Sequence, residues 1–162
     1  MRVIVDKLPY AVRLARYRGY VEAAFIAHGL PAAWGLAIAR QESAFRAGVS
    51  VLTGGDGVRG GSYGLMQMSM TTARGLGYAG DAKTLLIPTV NCMLSAKLVA
   101  QLRSRYLNLR DVAAAYNSGK PFDRAPHSTR THYVPNVQRY AQEFGWIEPK
   151  GLRIDELEIV SQ

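Results

Sequence analysis

Ala39-Arg40-Gln41-Glu42-Ser43-Ala44-Phe45 decides how the rest of the chain is read. Upstream, Pro31 opens a helix at a position where its missing N–H costs little. Trp34, Ile38 and Gln41 then fall on one side at helical spacing, with Leu36 and Ala39 beside them. This helix is predicted to run out at Glu42 or Ser43, which sets a carboxyl group where the backbone dipole is negative. Two later blocks are punctuated in the same way. Tyr63-Gly64-Leu65-Met66-Gln67 reads as a glycine-led turn, and Ala114-Ala115-Tyr116-Asn117-Ser118-Gly119 as a helix with a good C-terminal stop.

Working outward, the periodicity is helical almost throughout, and the fold class is mainly α. Pro9 to Ala27 has Leu14, Tyr17, Val21, Ala24, Phe25 and His28 at helix spacing, closed by Gly29. Ser69 or Thr71 caps a short helix through Arg74. Pro88 begins the longest helix, with Val90, Leu94, Leu98, Leu102 and Tyr106 as its apolar stripe. Asn108 caps a helix from Leu109 to Tyr116, with Asp111 serving its exposed N–H groups. A basic loop from Lys120 to Arg130 leads to a last helix, about His132 to Phe144. That helix turns Tyr133, Val137, Tyr140, Ala141 and Phe144 inward and ends at Gly145. The pattern breaks between Arg46 and Tyr63, where five glycines surround Asp56 and Arg59. A small hairpin or irregular loop near residues 49–63 is the only β-structure expected. With no internal repeat and no long linker, residues 1–147 are expected to form one domain and 148–162 an acidic-apolar tail.

Composition bounds the function classes. The chain has 162 residues, 48% hydrophobic and 20% charged, which suits one globular domain with a sizeable core. No apolar run approaches the ~20 residues of a membrane span. The formal charge is +8, and four acids (Glu148, Asp155, Glu156, Glu158) are gathered in the tail, so the remainder is more basic still. Such a surface attracts polyanions, nucleic acid or acidic wall material alike. There is no helix-turn-helix, no Cys/His finger and no ribonucleoprotein aromatic motif, so nucleic acid is disfavoured. Cys92 is the only cysteine, and no Cys/His spacing argues for zinc. His28, His127 and His132 are scattered, and neither a metal nor a cofactor is expected.

Glycoside cleavage needs a carboxylic acid that still holds its proton near neutral pH. Glu42 at a helix end, with Trp34, Phe45 and Met66 as apolar walls, is the candidate. The Gln67 amide offers a donor and an acceptor to an acetamido sugar or to Glu42. Tyr116 and Asn117 supply a polar-aromatic wall. Each block alone has a bland reading: a surface glutamate, a glycine turn with core methionines, a helix stop.

In combination, the Glu42-Ser43 pair, Gly64-Leu65-Met66-Gln67, Asn91 in the long helix, Ala115-Tyr116-Asn117-Ser118-Gly119 and Tyr133-Val134 resemble the soluble lytic transglycosylases over roughly residues 30–144. The resemblance implies a lysozyme-like fold and cleavage of the β-1,4 bond between N-acetylmuramic acid and N-acetylglucosamine in peptidoglycan. It further implies a 1,6-anhydro product, with Glu42 as acid and then base. Ser43, Gln67, Tyr116, Asn117 and Tyr133 are the implied substrate-binding residues. Met68-Ser69-Met70 departs from the family's Met-Pro continuation. The long glycine loop is closer to goose-type lysozyme, in which Asp56 would hold an attacking water, although a second goose-type aspartate is replaced by Ser69. A hydrolase using Glu42 and Asp56 is therefore the alternative, and a catalytically silent wall-binding or virion protein is another.

Met1-Arg2-Val3-Ile4-Val5-Asp6-Lys7 has no signal-peptide pattern. The expectation drawn from this is an enzyme delivered by a phage virion or released at lysis. Its partners would be glycan strands and, through residues 148–162 as a candidate docking arm, other virion proteins.

Overall fold

In the computed structural model, residues 7–51 and 61–149 are described. Asp56, most of the glycine loop and the tail from residue 150 onward lie outside the described residues.

Helix α1, Tyr10–Ala27, starts after Pro9 and ends where Gly29 takes φ +67°. It buries Val21, Ala24 and Phe25, with Leu14 and Tyr17 partly covered. Helix α2, Ala32–Ser43, follows Pro31 and is buried without a break from Trp34 to Ala39. A helix apolar all round belongs at the centre of a core. Here α1 and α6 pack on it. Gly35 permits the closest approach, because a β-carbon there would stand 2.6 Å from the Phe25 ring.

Three two-residue strands follow, β1 Ser50–Val51, β2 Ser62–Tyr63 and β3 Met68–Ser69, antiparallel in the order β1-β2-β3. The third strand lies beyond the region where β-structure was expected. Gly64 at φ +76° and Gln67 at φ +47° reverse the chain so tightly that Met68 pairs back onto Tyr63. Helix α3, Met70–Gly75, is capped as expected, Ser69 Oγ accepting from the Thr72 N–H at 3.0 Å. A 3-10 turn, Thr84–Leu86, is fixed by the Asp81 carboxylate, which accepts from the Thr84 N–H at 2.7 Å.

Helix α4, Pro88–Arg103, is turned differently from its predicted stripe. Its fully buried face carries Asn91, Cys92, Ser95, Ala96, Val99 and Leu102, while Val90, Leu94 and Leu98 are only partly covered and Tyr106 lies past its end. Helix α1 packs against this helix, and the polar residues of its buried face serve the site described below. Leu94 and Leu98 flank a second, smaller cluster of Tyr63, Met68, Ala73, Leu76 and Leu85.

Helix α5, Leu109–Ser118, has Asn108 as its cap, accepting from the Asp111 N–H at 2.8 Å, and Gly119 at φ +73° as its stop. Asp111 does not bond the helix's own amides. Its carboxylate accepts from Asn108 Nδ2 (2.9 Å) and from the Phe122 N–H (3.0 Å). The expected basic loop, Lys120 to Arg130, holds a 3-10 turn, Phe122–Arg124, and the start of a π-helical turn, Thr129–Tyr133, which takes the first residues expected in the last helix and runs directly into α6, Val134–Glu143. No described helix is long and apolar enough to cross a membrane.

Candidate active site

Glu42 stands on the last turn of α2. The Tyr133 hydroxyl, from the π-turn, donates to Glu42 Oε1 at 2.5 Å. Burial pushes the Glu42 carboxyl up from 4.5 to about 7, while the hydrogen bond from Tyr133 works in the opposite direction. Tyr133 is itself held well above the ordinary phenol value by burial and by the neighbouring Glu42 charge, so it remains a donor.

Beyond Glu42 the chain leaves α2 through two left-handed non-glycine residues, Ala44 (φ +50°) and Phe45 (φ +61°). Each costs about 1–2 kcal/mol for a side-chain-bearing residue. Arg13, buried on α1, braces this turn by donating to the Ala44 carbonyl at 2.9 Å and to the Leu8 carbonyl. Phe45 fills the core between Tyr10 and Phe144, edge-on to both. Trp34, Phe45 and Met66, the expected apolar walls, are all fully buried.

Ser43 is buried, and its hydroxyl donates to the Leu65 carbonyl at 2.8 Å, joining the end of α2 to the glycine-led turn. The same turn is gripped from α4. Asn91, wholly buried, accepts from the Met66 N–H (2.8 Å) and donates to the Tyr63 and Leu85 carbonyls (2.8 and 2.9 Å). Gly64 lies against this amide, where a β-carbon would be 2.9 Å from Asn91. Gln67 directs both amide hydrogens to main chain, at Gly64 (2.8 Å) and Val49 (3.2 Å), which leaves Oε1 as its acceptor.

Tyr116, on α5, donates to the Met66 carbonyl at 2.8 Å and lies 3.0 Å from Ser95 Oγ, which then donates to it. Burial and the Glu42 charge push its phenol far up. Asn117 accepts from the buried Thr129 hydroxyl at 2.7 Å, tying the end of α5 to the π-turn. Gln67, Tyr116 and Asn117 together line a cavity of about 170 Å³, with Ser62, Ser69 and Thr72 among its other walls. Glu42 is not among its walls, and Tyr116 is the lining residue that feels the Glu42 charge.

A family model for the transglycosylase SLT domain matches residues 20–134, most of this chain. The chain belongs to the SLT domain family. A comparison with curated proteins returned no match. Among solved structures, this SLT domain is similar to an inactive mutant of the lytic transglycosylase Slt from Pseudomonas aeruginosa, with 28% identity and a TM-score of 0.62. The match covers 80% of this chain and 24% of that one, so the SLT domain spans about a quarter of that protein's length. The mainly helical, lysozyme-like architecture read from the sequence is the one observed.

Within this SLT domain, Glu42, Ser43, Gln67, Tyr116, Asn117 and Tyr133 converge on one region, linked through Leu65, Met66 and Thr129. Asp56 lies outside the described residues. Asp81 is occupied at the Thr84 turn. Among the described residues no group of three His, Cys, Asp or Glu side chains could hold a metal ion. Sequence reasoning missed Arg13, Ser95 and Thr129. A signal for Ser95 was present: Asn91 and Ser95, polar and four apart, share a helix face with Cys92, Ala96 and Val99. Arg13 and Thr129 had none, because the partners that tie them to the site, the Ala44 carbonyl and Asn117, lie 31 and 12 residues away.

Proposed function

We propose that this SLT domain is a peptidoglycan lytic transglycosylase cutting the β-1,4 bond between N-acetylmuramic acid and N-acetylglucosamine, with Glu42 as its acid-base. The observation that carries this is the Glu42 carboxyl raised to about 7 by burial and oriented by the Tyr133 hydroxyl. A carboxyl with that pKa is protonated in about half the molecules at neutral pH, the poise a general acid needs. With Tyr133 donating to Oε1, the proton is directed to Oε2 and toward the glycosidic oxygen.

As the bond from the muramic C1 to that oxygen breaks, the oxygen takes the Glu42 proton and leaves as the N-acetylglucosamine hydroxyl. The carboxylate so formed keeps the Tyr133 hydrogen bond. It then removes the proton from the muramic C6 hydroxyl, whose oxygen bonds to C1 and closes the 1,6-anhydro ring. Glu42 is reprotonated and ready for the next cycle, with no water consumed. In this reading Gln67 Oε1 accepts from an acetamido N–H, and Tyr116 and Asn117 form the wall beside the ring. Ser43 acts by holding the Glu42 and Gln67 segments together, because its hydroxyl is already engaged with Leu65.

Mass spectrometry of the fragments released from purified peptidoglycan is the test, with Glu42→Gln as control. The expected fragments are lighter by one water than reducing-end fragments, and absent with Glu42→Gln. Fragments with ordinary reducing ends would make the domain a hydrolase and bring Asp56 into the reaction. Release undiminished by Glu42→Gln would remove Glu42 from the chemistry.

A further inference from the structure

Helix α1 is apolar on two sides, and among the described residues only one of them is covered. Leu14, Tyr17, Val21, Ala24 and Phe25 face the core. On the opposite side Val12, Ala15, Gly19, Ala23 and Ile26, all exposed, follow one another at intervals of three, four, four and three residues. At about 100° per residue, that spacing sets them in one seam along the helix. Of the eight large apolar side chains exposed among the described residues, four belong to this face: Val12 (48%), Tyr20 (46%), Ile26 (65%) and, from α4, Met93 (40%). Tyr20 and Met93 line a groove of about 430 Å³ together with Ala15, Gly19 and Ala23.

An exposed apolar face of this kind marks a contact with another molecule, and its symmetry selects which. The intervals read the same in both directions from Gly19. Laid antiparallel on a second copy, with Gly19 at a two-fold axis, Val12 meets the partner's Ile26 and Ala15 meets the partner's Ala23. Large side chains then oppose large ones, and small oppose small. The charges beside the seam are complementary in the same arrangement. Because the axis stands perpendicular to both helices, like flanks come together. Arg18 and Glu22, bonded at 2.6 Å within the helix, then lie beside their own copies, each cation next to the partner's carboxylate. On the other flank Arg16, which forms no ion pair among the described residues, comes beside the ring of the partner's Tyr20. A parallel pair would instead bring Arg16 beside the partner's Arg18, like charge against like. We propose that this face of α1 binds a second copy of the chain, antiparallel about Gly19, in an isologous dimer. Glycine at the axis lets the two backbones approach, since the side chains at the contact set the distance between helices. No residue of the Glu42 site takes part, so the dimer stands or falls independently of the cleavage chemistry.

Sedimentation velocity of the chain from about 1 μM to about 100 μM is the test, because dimerisation follows mass action. The mass is expected to rise to twice that of the chain across the series. Gly19→Glu sets like charges on the axis. In the single chain a β-carbon at Gly19 meets nothing within 4 Å, and glutamate suits a helix better than glycine. This variant is therefore expected to keep its circular dichroism spectrum and to dimerise about tenfold more weakly or worse. Orientation is read from disulfides. On oxidation Val12→Cys/Ile26→Cys is expected to crosslink two copies, and Val12→Cys alone is expected not to. Within one copy the two positions are about 21 Å apart along the helix, too far for a disulfide, and the native Cys92 is buried. A chain that stays monomeric over the series overturns the dimer, whatever else covers the face. A dimer that Gly19→Glu leaves unweakened, that Val12→Cys crosslinks to itself, or that the double variant fails to crosslink overturns this interface.

Discussion

Tyr133 and Glu42 set each other's protonation, and the consequences are measurable in opposite directions. The folded Glu42 holds its proton up to about 7, whereas an unfolded glutamate releases it near 4.5. Stability from this group is therefore fully present below about 4.5 and is lost as pH rises through 7. Glu42→Gln is expected to abolish turnover yet raise stability above pH 7, by roughly 3 kcal/mol at most, with little change at pH 4. Denaturant melts at the two pH values check this; equal effects at both would refute the buried acid. Tyr133→Phe removes the one interaction that lowers the Glu42 pKa. The alkaline limb of its pH–rate profile is expected to move upward, with a ~10–100-fold loss in kcat. Glu42 and Tyr133 were both legible from the sequence as site residues, but not their bond. Their separation of 91 positions conceals it, and only the docking of the last helix reveals it.

The turn from Gly64 to Gln67 and the π-turn before α6 are the two elements that aim side chains. Asn91 satisfies three buried backbone groups around the first. Asn91→Ala is expected to cost about 2–4 kcal/mol, read as a lowered urea midpoint, and to impair cleavage by loosening Gln67. The second contains one residue more per turn than an α-helix provides. Deleting exposed Arg130 is expected to restore α-helical winding and rotate the preceding segment against Tyr133 by about 100°. A folded but inactive protein, shown by an unchanged circular dichroism spectrum with no released fragments, is the expected result; retained activity would show that the turn has no aiming role. Helix boundaries were legible because glycines and prolines mark them. The face of α4 was not, since its buried side is chosen by Asn91 and Ser95, residues that a hydrophobic-periodicity reading assigns to solvent. The π-turn left no trace in residue spacing, because the extra residue falls where the pattern was already polar.

At the scale of the molecule, α2 is the central element, with α1 and α6 laid against it. Arg40 joins all three, 5.3 Å from the Tyr10 ring, 4.0 Å from the Tyr140 ring and paired with Glu143. Gly35→Ala would drive a methyl group into Phe25 and is expected to destabilise by about 1–3 kcal/mol, measured by thermal melting, while the residues at Glu42 remain in place. The mainly helical class followed from composition and period. The third strand did not, because two-residue strands carry too few residues to show an alternation.

The Tyr133 hydroxyl also orders events during synthesis. A nascent chain extended only as far as Ala125 already contains Glu42, Gln67 and Tyr116, yet lacks the phenol that orients the acid and the helix that covers α2. Assembly of the Glu42–Tyr133 pair therefore waits for the segment from Thr129 to Glu143 to emerge and dock. Fragments clipped before Thr129 would hold Glu42 without the Tyr133 hydroxyl, so on the proposed chemistry the acid is completed only when the π-turn and α6 have docked.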